Sequence, residues 1–301
     1  MGPRLETTYR PEHRLDLSGT VGALQRGPGD PTQTLAHGVI WRATRTPQGV
    51  ATTALRQNPD GSVRAASWGE GREWAIAQVP ALCGARDDAS GFDASLHPLI
   101  ADAHRRHPGL RLARTDLVFD ALAQVICEQK VTLHQAFRAW RSVVTWFGDR
   151  SPGPTPRPLF APPSIDGWRH VPSWGWHRAG LEPPQSRTIV EAARRGHSLT
   201  DAVLGGNVDA MTSLRGIGEW TAAETRIRAL GDPDAVSVGD FHLAHHVGYA
   251  LAGARTDDPG MLELLQPWSG HRQRVIRLIY AAGLTEPRRA PRLHPEDHRA
   301  R

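Results

Sequence analysis

The stretch Leu214-Arg-Gly-Ile-Gly-Glu-Trp-Thr221 constrains this chain more than any other. Two glycines one residue apart place a tight turn, through positive φ, between a short helix ending near Leu214 and a second helix beginning at Glu219 or Trp220. A helix N-terminus behind such a turn points its first amides outward, and outward amides hold a phosphate oxygen. Such contacts grip a nucleic-acid backbone without reading its sequence; an ordinary helix–helix connection with two glycines fits the same pattern. Further along, Asp240 stands before Phe241-His-Leu-Ala-His-His-Val-Gly-Tyr-Ala-Leu251, whose apolar spacing is helical. A carboxylate at that place is an N-cap. Beside an anion-gripping turn it is equally a charge placed for chemistry.

Composition narrows the classes. The net charge of +5 and sequence pI of about 10.0 favour a polyanionic partner, although an arginine-rich background gives the same balance. Lysine is nearly absent: Lys130 is the sole one. Two cysteines without CxxC spacing, Cys83 and Cys127, exclude a disulfide framework, a four-cysteine zinc site and a four-cysteine iron–sulfur cluster. No apolar run is long enough to span a membrane, and the N-terminus lacks the apolar core of a signal peptide, so a cytoplasmic protein with no membrane partner is expected. No Walker-type or dinucleotide-type glycine loop occurs, which disfavours a nucleotide-metabolism enzyme.

Periodicity divides the chain. Residues 36–75 read as strands: Gly38–Arg45, a Pro47-Gln-Gly turn, Val50–Leu55, the hairpin turn Asn58-Pro-Asp-Gly61, and a returning Ser62–Ala66. From about residue 94 the pattern is helical, with Asp116–Cys127 apolar at helical spacing and a capping-box start at Thr132-Leu-His-Gln135. Gln129, Lys130 and Val131 fall in the turn between these helices. Ser151-Pro-Gly-Pro-Thr-Pro-Arg-Pro158 reads as a surface loop, and helices resume from Gln185–Arg195 to Leu284. The predicted class is α+β: a small N-terminal α/β domain with an antiparallel sheet over 1–90, a mainly helical domain over 91–285, and a disordered basic tail over 286–301.

Leu214–Ala222, the turn Asp232-Pro-Asp-Ala235 and Asp240 together resemble the helix-hairpin-helix/Gly-Pro-Asp superfamily of DNA glycosylases, and most closely its 3-methyladenine DNA glycosylase II branch. Pro108–Leu112, Ile126–Thr132 and Trp268-Ser-Gly-His-Arg272 follow in family-like order, and the strand-rich N-terminal segment matches the branch's small first domain. The resemblance covers most of residues 5–284.

It implies a monofunctional glycosylase that hydrolyses the N-glycosidic bond of a flipped, damaged base, an alkylated purine first of all, in base-excision repair. Asp240 is then the catalytic carboxylate, stabilising positive charge that builds on the sugar. Trp220, Phe241 and Tyr280 surround the flipped base, with core packing the alternative for each. Glu224 stands where the branch tends to have an aromatic residue, and Ala23 near where the first domain supplies another, so the pocket is smaller and more acidic. Gly216, Ile217, Gly218 and Thr221 grip the DNA backbone, and Gln129 and Lys130 occupy the turn that probes the gap. A lysine there departs from the family's apolar or amide wedge. Branches with lyase activity carry a lysine where this chain has Trp220. The hairpin of the family often holds a monovalent cation on backbone carbonyls, here those of Thr212, Leu214 and Ile217; no other cofactor is expected. His242, His245 and His246 read as surface histidines rather than metal ligands. The implied partner is double-stranded DNA containing damaged bases, bound by a monomer. A glycosylase for an oxidised or deaminated base, and a non-catalytic helix-hairpin-helix DNA-binding protein, remain as alternatives.

Overall fold

The computed structural model describes residues 3–286. The basic tail expected over 286–301 lies outside the described residues except for Glu286. That residue is not loose: its carboxylate pairs with Arg255 and its amide donates to His246 Nδ1.

Five antiparallel strands form the N-terminal sheet: β1 (Arg4–Tyr9), β2 (Gln33–Ala36), β3 (Val39–Thr46), β4 (Gly49–Gln57) and β5 (Val63–Gly69), in the order β1-β5-β4-β3-β2. The central meander follows the sequence pattern. At the Asn58–Gly61 turn, Gly61 has φ +83° and Asp60 Oδ1 accepts the Ser62 amide. β1 and β2 were not expected. Each lies at a sheet edge and carries few apolar residues, so even the regular alternation in burial of β1 leaves little mark in the sequence. Ile40, Leu55, Val63 and Ala65 pack with Leu17, Val79 and Leu82 into the apolar core of this unit. The opposite face is covered as well. The 151–158 segment, read from sequence as a loop crossing the surface, runs against the sheet, where Thr52 donates to the Pro152 carbonyl and Gly153 sits on the Trp68 ring.

The helical part has two apolar cores. The first gathers the helices Val118–Cys127, Leu133–Phe147, Pro183–Arg194 and Glu219–Leu230 around a ladder of stacked indoles, Trp140–Trp168–Trp176, with ring centroids 6.1 and 5.9 Å apart. Trp168 and Trp176 belong to two short helices, Ile165–Arg169 and Ser173–Ala179, absent from the sequence reading; surrounding prolines hide their periodicity. The second core joins Ile100 and Ala103, of the helix Pro98–Arg106, to residues 236–279. The capping box at Thr132 forms as predicted, with Thr132 accepting from the Gln135 amide and the Gln135 side chain from the Thr132 amide. Residues 231–243 pass from the first core to the second, and the conspicuous motif lies on that crossing.

Candidate functional site

The hairpin is built from the two ends of Leu214–Thr221. Before it, the expected short helix is a 3-10 turn, Val208–Ala210, continued by three-residue turns in which Leu214 N–H donates to Met211 O and Ile217 N–H to Leu214 O. Gly216 has φ +90°, and a Cβ there would lie 2.3 Å from Thr188 Oγ1. The fold itself therefore requires glycine at 216. Gly218 differs: its backbone is extended, with φ −96°, and a Cβ would meet nothing. Its open side faces outward, at the start of the helix Glu219–Leu230, where no side chain caps the first amides.

The neighbouring turn is fastened to this hairpin. Gln129 Nε2 donates to the Gly216 carbonyl and to Thr221 Oγ1, both at 2.9 Å. Gln129 and Thr221 thus meet each other, and Thr221 is buried, at 2% exposure. Ile217 is likewise buried. Gln185, buried in the first core, donates to the carbonyls of Ile126, Cys127 and Gln129 and holds the turn from within. At its tip Lys130 is exposed, at φ +55°, a region that side-chain-bearing residues enter rarely.

Asp240 is set by its flanking loop. Asp232 Oδ1 accepts the amides of Asp234 and Ala235, and Oδ2 takes the Arg226 guanidinium at 2.9 and 2.6 Å. Asp234 takes Arg272 and the amides of Gly270 and Arg272, binding the Trp268–Arg272 segment to the same turn. Gly239, at φ +85°, donates its amide to Asp258. The Asp240 carboxylate then divides. Oδ1 accepts the amides of His242, the N-cap of the helix Leu243–Ala252, and of Leu243, both at 2.9 Å, and so holds the helix start from two residues upstream. Oδ2 accepts the Trp220 indole N–H at 3.1 Å. Capping uses only one oxygen; the second is held against the hairpin helix.

Around this carboxylate the sequence-predicted residues take different places. Tyr280, partly exposed, has its phenol pushed up to about 12 by burial of the hydroxyl end, the Asp240 and Glu224 charges adding. Asp240, Glu224 and Tyr280 therefore share one electrostatic space. Glu224 accepts from Ser237 Oγ and pairs with Arg228 at 2.9 Å. The buried Arg228 guanidinium also holds Glu128, 2.8 Å away, which Arg26 of the N-terminal unit approaches to 3.8 Å. Phe241 stands out at 78% exposure, edge-on to His242. His242 stacks on His246, which meets Tyr280 edge-on, each pair 5.8 Å between centroids. His246 is a packed residue rather than a free surface histidine: burial, with His242 adding, holds its imidazole below the ordinary range. Ala23 lies exposed on the 3-10 turn Gly22–Leu24.

Arg228, Ser237, Asp258 and Gln185 were not singled out from sequence. Only Arg228 left a signal there, as the partner of Glu224 four residues on in one helix. The others act across chain separations that periodicity does not register.

No family model and no curated protein matches the chain in sequence. Solved structures match it over nearly its whole length. A 3-methyladenine DNA glycosylase from Archaeoglobus fulgidus superposes with a TM-score of 0.76, covering 94% of this chain and 100% of its own, at 18% identity. An 8-oxoguanine glycosylase/lyase from Clostridium acetobutylicum, in complex with double-stranded DNA containing cytosine opposite to 8-oxoG, gives 0.70 over 93% of this chain and 97% of its own, at 11% identity. MBOgg1, in complex with a low-affinity DNA ligand, gives 0.69 over 92% and 95%, at 12% identity. The chain has the α+β fold that these DNA glycosylases share, and no described helix is long and apolar enough to cross a membrane.

Proposed function

We propose that this protein is a monofunctional DNA glycosylase that hydrolyses the N-glycosidic bond of a damaged base flipped out of double-stranded DNA. The observation that carries the reading is the divided Asp240 carboxylate, one oxygen on a helix start and the other on the indole beside the uncapped hairpin amides. A phosphate-binding surface alone is weakened by a negative charge at its mouth. Cleavage of an N-glycosidic bond uses one, because positive charge builds on the sugar as the bond lengthens. The bond's electron pair leaves with the base, the water oxygen bonds to C1′, and the water's surplus proton goes to solvent.

The DNA backbone docks on the amides at the helix start, from Gly218 and Glu219 onward, where glycine at 218 leaves room for close approach. The exposed Lys130 turn enters the gap or meets a phosphate beside it. Trp220, Phe241, Tyr280 and Glu224 receive the base, and the carboxylates of Asp240 and Glu224, only the second of them paired with Arg228, favour a cationic one, hence an alkylated purine in base-excision repair. Neutral carbonyls of Thr212, Leu214 and Ile217 on the tight turn suit a monovalent cation, the Leu214 oxygen keeping a lone pair beyond its bond to Ile217. The protein works as a monomer on cytoplasmic DNA. A second reading, release of an oxidised base, is supported by the 8-oxoguanine enzyme among the solved structures of this fold.

Base release from duplexes carrying defined single lesions tests the proposal. Release of N-alkylated purines ahead of 8-oxoguanine and deaminated bases is expected. Preferential release of 8-oxoguanine replaces the substrate class, and release from no lesion overturns the enzyme reading.

A further inference from the structure

The sheet meets the helical layer along a seam in which a cavity of about 60 Å³ lies. Arg42 and Thr44 of β3 line it from one side. Asp120 and Gln124 of the helix Val118–Cys127, Trp140 and Arg228 line it from the other. Two of these groups lack a protein partner among the described residues: Trp140 Nε1 and Arg228 Nη1, on side chains that are 3% and 7% exposed. A buried N–H left without an acceptor is costly, so native proteins satisfy such groups with protein or with ordered water.

The lining decides what fits. A cation faces the guanidinium groups of Arg42 and Arg228, with Arg45 close enough to act on Asp120. An anion faces the Asp120 carboxylate once that group ionises, and so fits only one of its two protonation states. A neutral molecule that both donates and accepts meets neither obstacle. At roughly 10–15 Å³ for each water, the volume accommodates about four, with two orphan donors and one carboxylate to hold them. Arg228 turns its other terminal nitrogen to Glu128 and Glu224, so the cavity backs onto the network behind the candidate site.

We infer that this seam cavity is a built hydration site, in which ordered water joins Trp140, Arg228 and Asp120, and that Asp120 is the group through which the seam takes up and releases a proton. Arg45 is the charge that acts on Asp120; Arg42 and Arg228 line the same cavity, with Arg26 bonded to Gln124 and Glu128 paired with Arg228 behind them. Burial raises the Asp120 carboxyl to about 7, the Arg45 charge opposing. A carboxyl raised in the folded state contributes stability below its unfolded value, near 4, and loses it as pH rises to about 7.

Three measurements on the full chain test this. A high-resolution crystal structure should place waters within hydrogen-bond distance of Trp140 Nε1, Arg228 Nη1 and Asp120; an ion in the cavity, or a cavity closed by side chains, overturns the hydration site. Thermal midpoints between pH 4.5 and 8.5 should show Asp120→Asn gaining on the wild type by about 3 °C or more as pH rises. A constant difference across that range overturns the proton-binding role. Should the variant fail to fold, the ¹³C resonance of the Asp120 carboxyl in the wild-type protein decides: a midpoint near neutrality is expected, and one near 4 overturns it.

Discussion

Asp240 meets two demands that a single substitution can separate. Asparagine keeps an oxygen for the His242 and Leu243 amides, but its Nδ2 cannot accept the Trp220 N–H and it carries no charge. Asp240→Asn should therefore lower the thermal midpoint only modestly, by about the worth of one hydrogen bond, keep or tighten DNA binding, and slow base release by about 100-fold or more. Single-turnover release with parallel binding titrations checks this, and near-wild-type release reduces Asp240 to a helix cap. Asp240 was legible because an acid before a helical run, after a Gly-x-Gly turn, is a local pattern. The neighbours that give it a setting were less so. Trp220 reads as a pocket wall, yet its indole is spent on Asp240 Oδ2. Tyr280 reads as even between core and pocket, yet its hydroxyl end answers to both carboxylates. Hydrogen bonds from a residue's far end leave no trace in the spacing of its backbone.

At the scale of elements, the two glycines of the hairpin differ in what requires them. Gly216→Val should destabilise the protein itself, since valine is strained at φ +90° and its Cβ collides with Thr188. Gly218→Val should fold with a thermal midpoint close to wild type, because its backbone is extended and its surroundings are open. It should nonetheless weaken binding to damaged and undamaged duplex alike by about tenfold, as expected for a lost backbone contact. Equal loss of fold by both variants, or undiminished binding by Gly218→Val, refutes the backbone grip. The elements legible in sequence are those with strong local grammar: the Asn58–Gly61 hairpin, the Thr132 capping box and the amphipathic helix Val118–Cys127. Those missed, β1, β2 and the helices Ile165–Arg169 and Ser173–Ala179, are short edge strands or proline-bounded turns of helix. Tertiary packing defines them: β1 by its pairing with β5, the short helices by the Trp140–Trp168–Trp176 ladder.

Across the whole molecule, ion pairs hold the cores in register around the site. Arg226–Asp232 and Asp234–Arg272 fix the crossing between the two helical cores, and a buried Asp87–Arg274 pair, with contacts of 2.7 and 3.0 Å, ties the N-terminal unit to the last helix. Arginine makes all these contacts, and its guanidinium stays protonated and is no nucleophile toward a sugar. The charge of the chain is thus delivered almost without amines. Lys130 is the sole lysine, and it stands exposed on a turn that Gln129 and Gln185 hold in place, while Trp220 fills the position next to Asp240. A lyase step needs an amine to form a Schiff base with the sugar. The strand should therefore remain intact after base release and break only when alkali is added, and borohydride should trap no covalent protein–DNA adduct. An adduct that forms with the wild type and vanishes in Lys130→Ala makes the lone lysine a nucleophile and the protein bifunctional. Without one, Lys130→Ala should weaken duplex binding only modestly, while leaving the rate of release from bound substrate within about threefold, as expected for a side chain that meets phosphate or the gap rather than the reacting sugar.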